Sequence, residues 1–240
     1  MKPLMISLLL AVLATVPARA GEIAVAVASN FLSTAEVLVS AFEAEHDVDV
    51  QLAHGSTGQI FAQVSNGAPF DVFLSADTMR PNRLREAGRA VSVRPYAIGR
   101  LVLVSREPVT EETIAEQFEG RVVALADPTV APYGLAATSA MESLSLDTAT
   151  FQPVLVANVG QVATIFATVN ADFVFLAASL LPRLSGIEVF DLDGKHPPIV
   201  QSAALLTEPE TDKDVAAFWQ FLFSEEARGV ITDAGYNLPE

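Results

Sequence analysis

The sequence predicts an α/β fold made of two sheets, each mainly parallel and covered by helices. Short apolar runs alternate with helical patterns from residue 23 onward, and this alternation is typical of β-α-β units. The alternation restarts after Arg94-Pro95 and the turn at Gly99-Arg100. The restart indicates a second sheet, which the chain enters near Gly99 and leaves near Ser202.

The first block has three predicted strands and two helices, and its first helix has a clear apolar face. Strands are predicted at residues 23–28, 48–52 and 72–75, and helices at 32–45 and 59–66. The apolar residues of the first helix recur at the i, i+3, i+4 and i+7 spacing of one helix face. They are Ala35, Leu38, Val39 and Phe42.

The second block repeats this construction before the chain returns to the first sheet. Strands are predicted at residues 101–104, 121–125, 154–157, 173–177, 187–190 and 200–206, and helices at 133–144, 159–169 and in the C-terminal region. We therefore expect one lobe from residues 21–99 plus 202–240 and a second from residues 100–201.

Residues 1–20 have the pattern of a cleavable export signal. Lys2 precedes an apolar run, residues 4–16, that is too short to span a bilayer, and Ala18-Arg19-Ala20 fits a signal peptidase site. Cleavage between Ala20 and Gly21 is predicted, and the sequence contains no Cys for a lipid anchor or a disulfide. These features predict a soluble periplasmic protein.

The chain is strongly acidic, with a formal net charge of −15. Loss of Lys2 and Arg19 with the signal would make the mature chain −17. This charge argues against nucleic acid or an acidic membrane surface as a partner.

Four predicted strand-to-helix junctions are rich in hydrogen-bond donors and contain no Lys or Arg. Helix N-termini present unpaired N–H groups and favour anions, and ligands of open α/β sheets lie beyond the carboxyl ends of the strands. Neutral donors alone suit a small, fully deprotonated oxyanion. The junctions are Ser29-Asn30, Gly55-Ser56-Thr57-Gly58, Asp127 to Gly134, and Asn158-Val159.

Asp127 is the one carboxylate at these junctions. It could accept a hydrogen bond from a protonated anion such as hydrogen phosphate. Because Pro128 follows it, the sequence favours a turn-forming role instead.

Over nearly the whole mature chain, the sequence resembles the periplasmic molybdate-binding proteins of ABC transporters. The motifs that carry the resemblance are Ala26-Val27-Ala28-Ser29-Asn30, Gly55-Ser56-Thr57-Gly58-Gln59, residues 66–77 with Gly67-Ala68-Pro69 and Ser75-Ala76-Asp77, residues 126–134, and Asn158-Val159-Gly160-Gln161-Val162. The resemblance implies a two-lobed type II binding-protein fold whose lobes are joined by a two-crossing hinge. It implies molybdate as the ligand, with tungstate as a second ligand, and a membrane permease as the partner. It also implies that the protein is a monomer, has no cofactor and is not an enzyme.

The resemblance also implies a set of ligand-binding residues. Ser29 and Asn30, a hydroxyl from Ser56 or Thr57, and the backbone N–H groups of Tyr133 and Val159 would hold the oxyanion. Counting back from Gly67 favours Thr57 over Ser56. One branch of the family has a ligand-binding Tyr where this chain has Ala177, so position 177 is left out of the site.

Two alternatives remain open at this point. The ligand could be sulfate or another tetrahedral oxyanion. The protein could instead be a secreted hydrolase that uses His54 with Ser56 or Thr57, although the sequence has no G-x-S-x-G motif.

Overall fold

The structure, a computed structural model, describes residues 21–208 and 210–240. The predicted export signal at residues 1–20 lies outside the described residues. No helix in the described part of the chain is long and apolar enough to cross a membrane.

The described chain contains ten strands, eight α-helices and one 3₁₀ helix. In chain order they are β1 Gly21–Ala28, α1 Leu32–Glu45, β2 Val48–Gly55, α2 Thr57–Ser65, β3 Val72–Leu74, α3 Met79–Glu86, β4 Ser92–Gly99, β5 Leu101–Ser105, α4 Ile114–Phe118, β6 Val122–Ala126, α5 Pro132–Ser143, β7 Gln152–Val156, α6 Val159–Ala167, β8 Phe173–Ala177, the 3₁₀ helix Ala178–Arg183, β9 Glu188–Asp191, β10 Ile199–Leu205, α7 Lys213–Phe221 and α8 Glu225–Asp233.

The first sheet has the strand order β2-β1-β3-β10-β4. Strand β1 runs parallel to β2 and β3, whereas β10 runs antiparallel to β3 and β4. Four of its five strands therefore run in one direction, as expected of a mainly parallel sheet, and β10 alone is reversed. The reason is the hinge: β10 enters from the second sheet at the end where β1 and β3 finish, so it must run the opposite way.

The second sheet repeats this arrangement in the order β7-β6-β8-β5-β9. Strand β6 is parallel to β7 and β8, and β5 is antiparallel to β8 and β9. Strand β5 follows β4 after the single residue Arg100, so it starts at the hinge and runs away from it.

Two segments beside the hinge differ from the prediction. Helix α3 and strand β4 were not predicted, because α3 buries only Pro81 and Leu84 and β4 is an edge strand containing Pro95. The return to the first sheet was predicted near Ser202, and β10 already pairs with β4 from Ile199.

Candidate oxyanion-binding cleft

The carboxyl ends of strands from both sheets surround a small cavity. All six of the predicted site residues line it and are buried. The lining residues are Ala28, Ser29, Asn30, Gly55, Ser56, Thr57, Ala76, Ala131, Pro132, Tyr133, Asn158 and Val159.

Four backbone N–H groups at this cavity, each at a strand-to-helix junction, have no acceptor within residues 21–208 and 210–240. Thr57 and Val159 are the first residues of α2 and α6, and Tyr133 follows Pro132 at the start of α5. Asn30 lies in the turn between β1 and α1. The first N–H groups of a helix point out along its axis, so these donors are available to a ligand.

Three hydroxyl groups at the cavity each accept a hydrogen bond from a backbone N–H. A hydroxyl that accepts in this way keeps its own hydrogen to donate, and none of the three donates to another group among the described residues. The contacts run from Gly160 N to Ser29 Oγ at 3.4 Å, from Gln59 N to Ser56 Oγ at 3.3 Å, and from Ala76 N to Thr57 Oγ1 at 3.2 Å. Ser56 also caps α2, and both Ser56 and Thr57 line the cavity.

The side-chain amide of Asn30 makes its hydrogen bonds beneath the cavity. Its amide nitrogen donates to Gln201 Oε1 at 2.9 Å and contacts the Tyr236 hydroxyl at 3.1 Å. Both amide hydrogens therefore have partners beneath the cavity. The free donor of Asn30 at the cavity is its backbone N–H.

Tyr133 divides its two polar groups between the cavity and the hinge. Its backbone N–H is one of the free donors, and its hydroxyl accepts a hydrogen bond from Gln201 Nε2 at 3.3 Å. Burial, reinforced by the neighbouring phenol of Tyr236, raises the pKa of the Tyr133 hydroxyl well above its ordinary value of 10.0. The phenol is therefore neutral at physiological pH.

The lining residues, all within the described chain, include no Lys, Arg, His, Asp or Glu. Asp127 lies outside the lining, and its Oδ1 accepts from Thr129 N at 2.9 Å and from Thr129 Oγ1 at 2.7 Å. These hydrogen bonds from the Thr129 hydroxyl and backbone lower the pKa of Asp127. The carboxylate closes a turn, as its position before Pro128 predicts.

Three residues beneath the cavity were missed by the sequence analysis: Gln201, Tyr96 and Tyr236. They join Asn30 and Tyr133 in one buried hydrogen-bond network. One sequence signal was available, because Gln201 is a polar residue inside an otherwise apolar strand and a buried amide needs partners. The tyrosines carry no such signal.

The hydrolase alternative requires a base next to a hydroxyl. His54 is exposed on β2, and within the described residues it makes no hydrogen bond to Ser56 or Thr57. The Ser56 hydroxyl is instead part of the cap of α2. The geometry therefore supplies no nucleophile and base pair here.

Two mixed sheets, each covered by helices, with a donor-lined cavity between them define a two-lobed solute-binding protein of the type II arrangement. The comparison with known proteins agrees. The chain belongs to the family of bacterial extracellular solute-binding proteins, whose family model matches residues 23–237.

Named relatives are similar over nearly their full length. The chain is 37% identical over 227 residues to the molybdate-binding protein ModA of Rhodobacter capsulatus, covering 92% of this chain and 90% of the relative. It is 34% identical over 231 residues to ModA of Azotobacter vinelandii, covering 92% of each. The solved periplasmic molybdate-binding protein of Azotobacter vinelandii matches with a TM-score of 0.82 at 32% identity, covering 91% of this chain and all of that one.

Proposed function

We propose that this protein captures molybdate between its two lobes in the periplasm and delivers it to the permease of an ABC transporter. Tungstate, which has the same shape and charge, is the second ligand. The similarity to two molybdate-binding proteins supports the ligand, and the match to a solved periplasmic molybdate-binding protein supports the compartment. The protein acts by binding alone and catalyses no reaction.

The observation that carries the proposal is the composition of the cavity. It offers four free backbone N–H groups and three hydroxyls, and no ionisable side chain except the buried phenol of Tyr133. A shell of neutral donors fits a dianion that brings no proton of its own. At about 1.5 kcal/mol for each charge-assisted bond, these donors supply roughly 10 kcal/mol before association costs, which corresponds to affinity between micromolar and nanomolar.

Both lobes contribute to this shell. Asn30 and Thr57 come from the first sheet's junctions, and Tyr133 and Val159 come from the second's. Closure around the anion therefore removes water and completes the donor set, and the permease can recognise the closed form. Sulfate has the same charge and tetrahedral shape, so cavity size must separate it from molybdate.

Isothermal titration calorimetry of the mature protein, residues 21–240, tests the proposal with molybdate, tungstate, sulfate and phosphate. We expect strong binding of molybdate and tungstate, and weak or no binding of sulfate and phosphate. Tight binding of sulfate alone would show that the ligand is sulfate and not molybdate. Hydrolysis of a chromogenic ester that is lost when His54 is substituted would show that the protein is a hydrolase.

A further inference from the structure

Gln201 is a fully buried polar residue at the hinge. It lies in β10, which carries the chain back from the second sheet, and its side chain has no exposed surface. The pairing of β10 with β4 shifts between Gln201 and Ser202. A buried amide is costly unless its donors and acceptor are satisfied, so its partners define its role.

The partners of Gln201 come from both lobes. Its Oε1 accepts from Asn30 Nδ2 at 2.9 Å and from the Tyr96 hydroxyl at 3.0 Å. Its Nε2 donates to the Tyr133 hydroxyl at 3.3 Å. Asn30 and Tyr133 both line the cavity, one from each lobe, whereas Gln201 does not line it.

Both crossings of the hinge meet at the phenol of Tyr133. Gly99 ends β4, the outgoing strand, and a Cβ placed on it would overlap the Tyr133 hydroxyl and come within 2.7 Å of Gln201 Nε2. Gln201 belongs to the returning strand β10. The side chain of Tyr133 is therefore held between the two connections that join the sheets.

Asn30 is held on its other side by a contact between the lobes. The Tyr236 hydroxyl donates to the Asn30 carbonyl oxygen at 2.7 Å, and Ser179 Oγ contacts the same oxygen at 3.0 Å. Ser179 belongs to the 3₁₀ helix that follows β8 of the second sheet. Because this carbonyl is fixed, the hydrogen bond from the Asn30 side chain to Gln201 determines how that side chain lies relative to the hinge.

We propose that Gln201 is a positioning residue of the oxyanion site. Its amide ties Asn30 and Tyr133, one cavity residue from each lobe, to the returning hinge strand, and so aligns their backbone N–H groups when the cleft closes. Gln201 acts through these two residues and does not touch the anion. The inference rests on the proposed function and identifies how the same site is aligned.

The first test compares Gln201→Leu with Ser202→Ala. Leu removes the amide at similar volume. Ser202 is the next residue, is equally buried, and bonds to Thr78 away from the cavity. Calorimetry with molybdate should show at least a tenfold weaker Kd for Gln201→Leu and a Kd within twofold of wild type for Ser202→Ala. Thermal unfolding of both ligand-free variants confirms that they fold. Equal affinity losses in the two variants would overturn the inference.

Gln201→Glu provides a second test that does not depend on tolerance of an apolar side chain. A protonated Glu keeps one donor and one acceptor, whereas an ionised Glu cannot donate to Tyr133 and adds a negative charge beneath the anion. The titratable groups beside this position are Tyr96 and Tyr133, which bond to Gln201, and Tyr236, which bonds to Asn30. The negative charge of Asp77 also helps to raise the pKa of Tyr96.

Molybdate binding by Gln201→Glu should therefore be pH-dependent between pH 6 and 9. At pH 9 we expect the variant to bind at least tenfold more weakly than the wild type, and we expect this difference to become smaller towards pH 6. The Kd of the wild type should stay constant over the same range. An equal loss at both pH values, or no loss, would overturn the inference. If the wild-type protein binds no oxyanion, the proposed function fails; if the wild type binds and Gln201→Leu is unaffected, only this inference fails.

Discussion

The backbone N–H of Gly58 donates to the carbonyl oxygen of Val130 at 2.9 Å, and this bond joins the two lobes beside the cavity. Gly58 is in α2 of the first lobe, and Val130 lies between β6 and α5 of the second. A Cβ on Gly58 would lie 3.0 Å from that carbonyl oxygen and 3.1 Å from Val130 Cα. The absence of a side chain at position 58 therefore allows the lobes to approach this closely.

Gly58→Ala should weaken molybdate binding without destabilising the ligand-free protein. The added methyl group forces the lobes apart by a few tenths of an ångström, whereas Ala is up to about 1 kcal/mol better than Gly in a helix. We expect a Kd about tenfold weaker by calorimetry, together with an unchanged or raised unfolding temperature.

Gly229→Ala is the matched control for this change. Gly229 lies within α8, and a Cβ there would meet nothing within 4 Å. The substitution should raise the free energy of unfolding by about 0.5–1 kcal/mol and leave the Kd unchanged. Unaltered binding by Gly58→Ala would show that this contact is not needed for closure.

Ser29→Ala should strongly reduce oxyanion affinity. The change removes a hydroxyl that faces the cavity and also accepts a hydrogen bond from Gly160 in the other lobe. Loss of one charge-assisted hydrogen bond, about 1.5–3 kcal/mol, corresponds to roughly a tenfold to 150-fold weaker Kd. Ser40→Ala, at an exposed serine on α1, is the control and should bind as wild type does. Calorimetry distinguishes these results, and equal affinities would exclude Ser29 from the ligand shell.

Tyr133→Phe should have a smaller effect than Ser29→Ala. The hydroxyl of Tyr133 contacts Gln201 in the hinge, and the free donor of Tyr133 at the cavity is its backbone N–H. Removing the hydroxyl leaves the Gln201 amide one partner short, which costs about 1–2 kcal/mol of stability and less than about tenfold in affinity. Denaturant unfolding and calorimetry check the two values. A loss of affinity as large as that of Ser29→Ala would mean that the hydroxyl contacts the anion.

The tyrosines should ionise only when the protein unfolds. The sequence has three, Tyr96, Tyr133 and Tyr236, and burial raises the pKa of each above the ordinary value of 10.0. Below pH 10 the phenols are neutral in both states, so stability is retained. Above pH 10 only the unfolded state releases these protons, so stability falls by up to about 1.4 kcal/mol per pH unit for each tyrosine.

An alkaline titration followed by phenolate absorbance and by circular dichroism tests this expectation. The two signals should change together in one cooperative transition. Gradual phenolate formation in a protein with native circular dichroism would contradict the burial of these hydroxyls.

Val169→Gly should stabilise the protein. Val169 has a φ of 59° and is 72% exposed at the end of α6. A β-branched residue is strained in this left-handed conformation, whereas Gly is not, and little packing is lost. We expect a gain of about 0.5–1 kcal/mol in denaturant unfolding. Val37→Gly, at a 53% exposed position within α1, should instead destabilise. A destabilising Val169→Gly would contradict this assignment of strain.

The sequence predicts those parts of the fold that have strong periodicity. Helix α1 begins and ends as predicted, because one buried stripe runs its whole length. The direction of β10 and β5 could not be predicted, since it depends on where the hinge crosses between the sheets. Helix α3 was missed because two buried residues do not form a periodic pattern.

The candidate site was predictable to the level of its backbone junctions. Ser29, Asn30, Ser56, Thr57, Tyr133 and Val159 do meet at one cavity, because carboxyl strand ends in both sheets face the same cleft. The direction of the Asn30 amide was not predictable. Its partners, Gln201 and Tyr236, lie 171 and 206 positions away in the sequence, and only the folded chain brings them together.

A crystal structure of the mature protein grown with tungstate tests the central claim most directly, because the tungsten atom gives a strong anomalous signal. We predict one tetrahedral anion in the cavity, with its oxygens about 2.7–3.2 Å from the backbone nitrogens of Asn30, Tyr133 and Val159 and from the Ser29 hydroxyl. An anion bound only to exposed arginines, or in contact with a single lobe, would contradict the account.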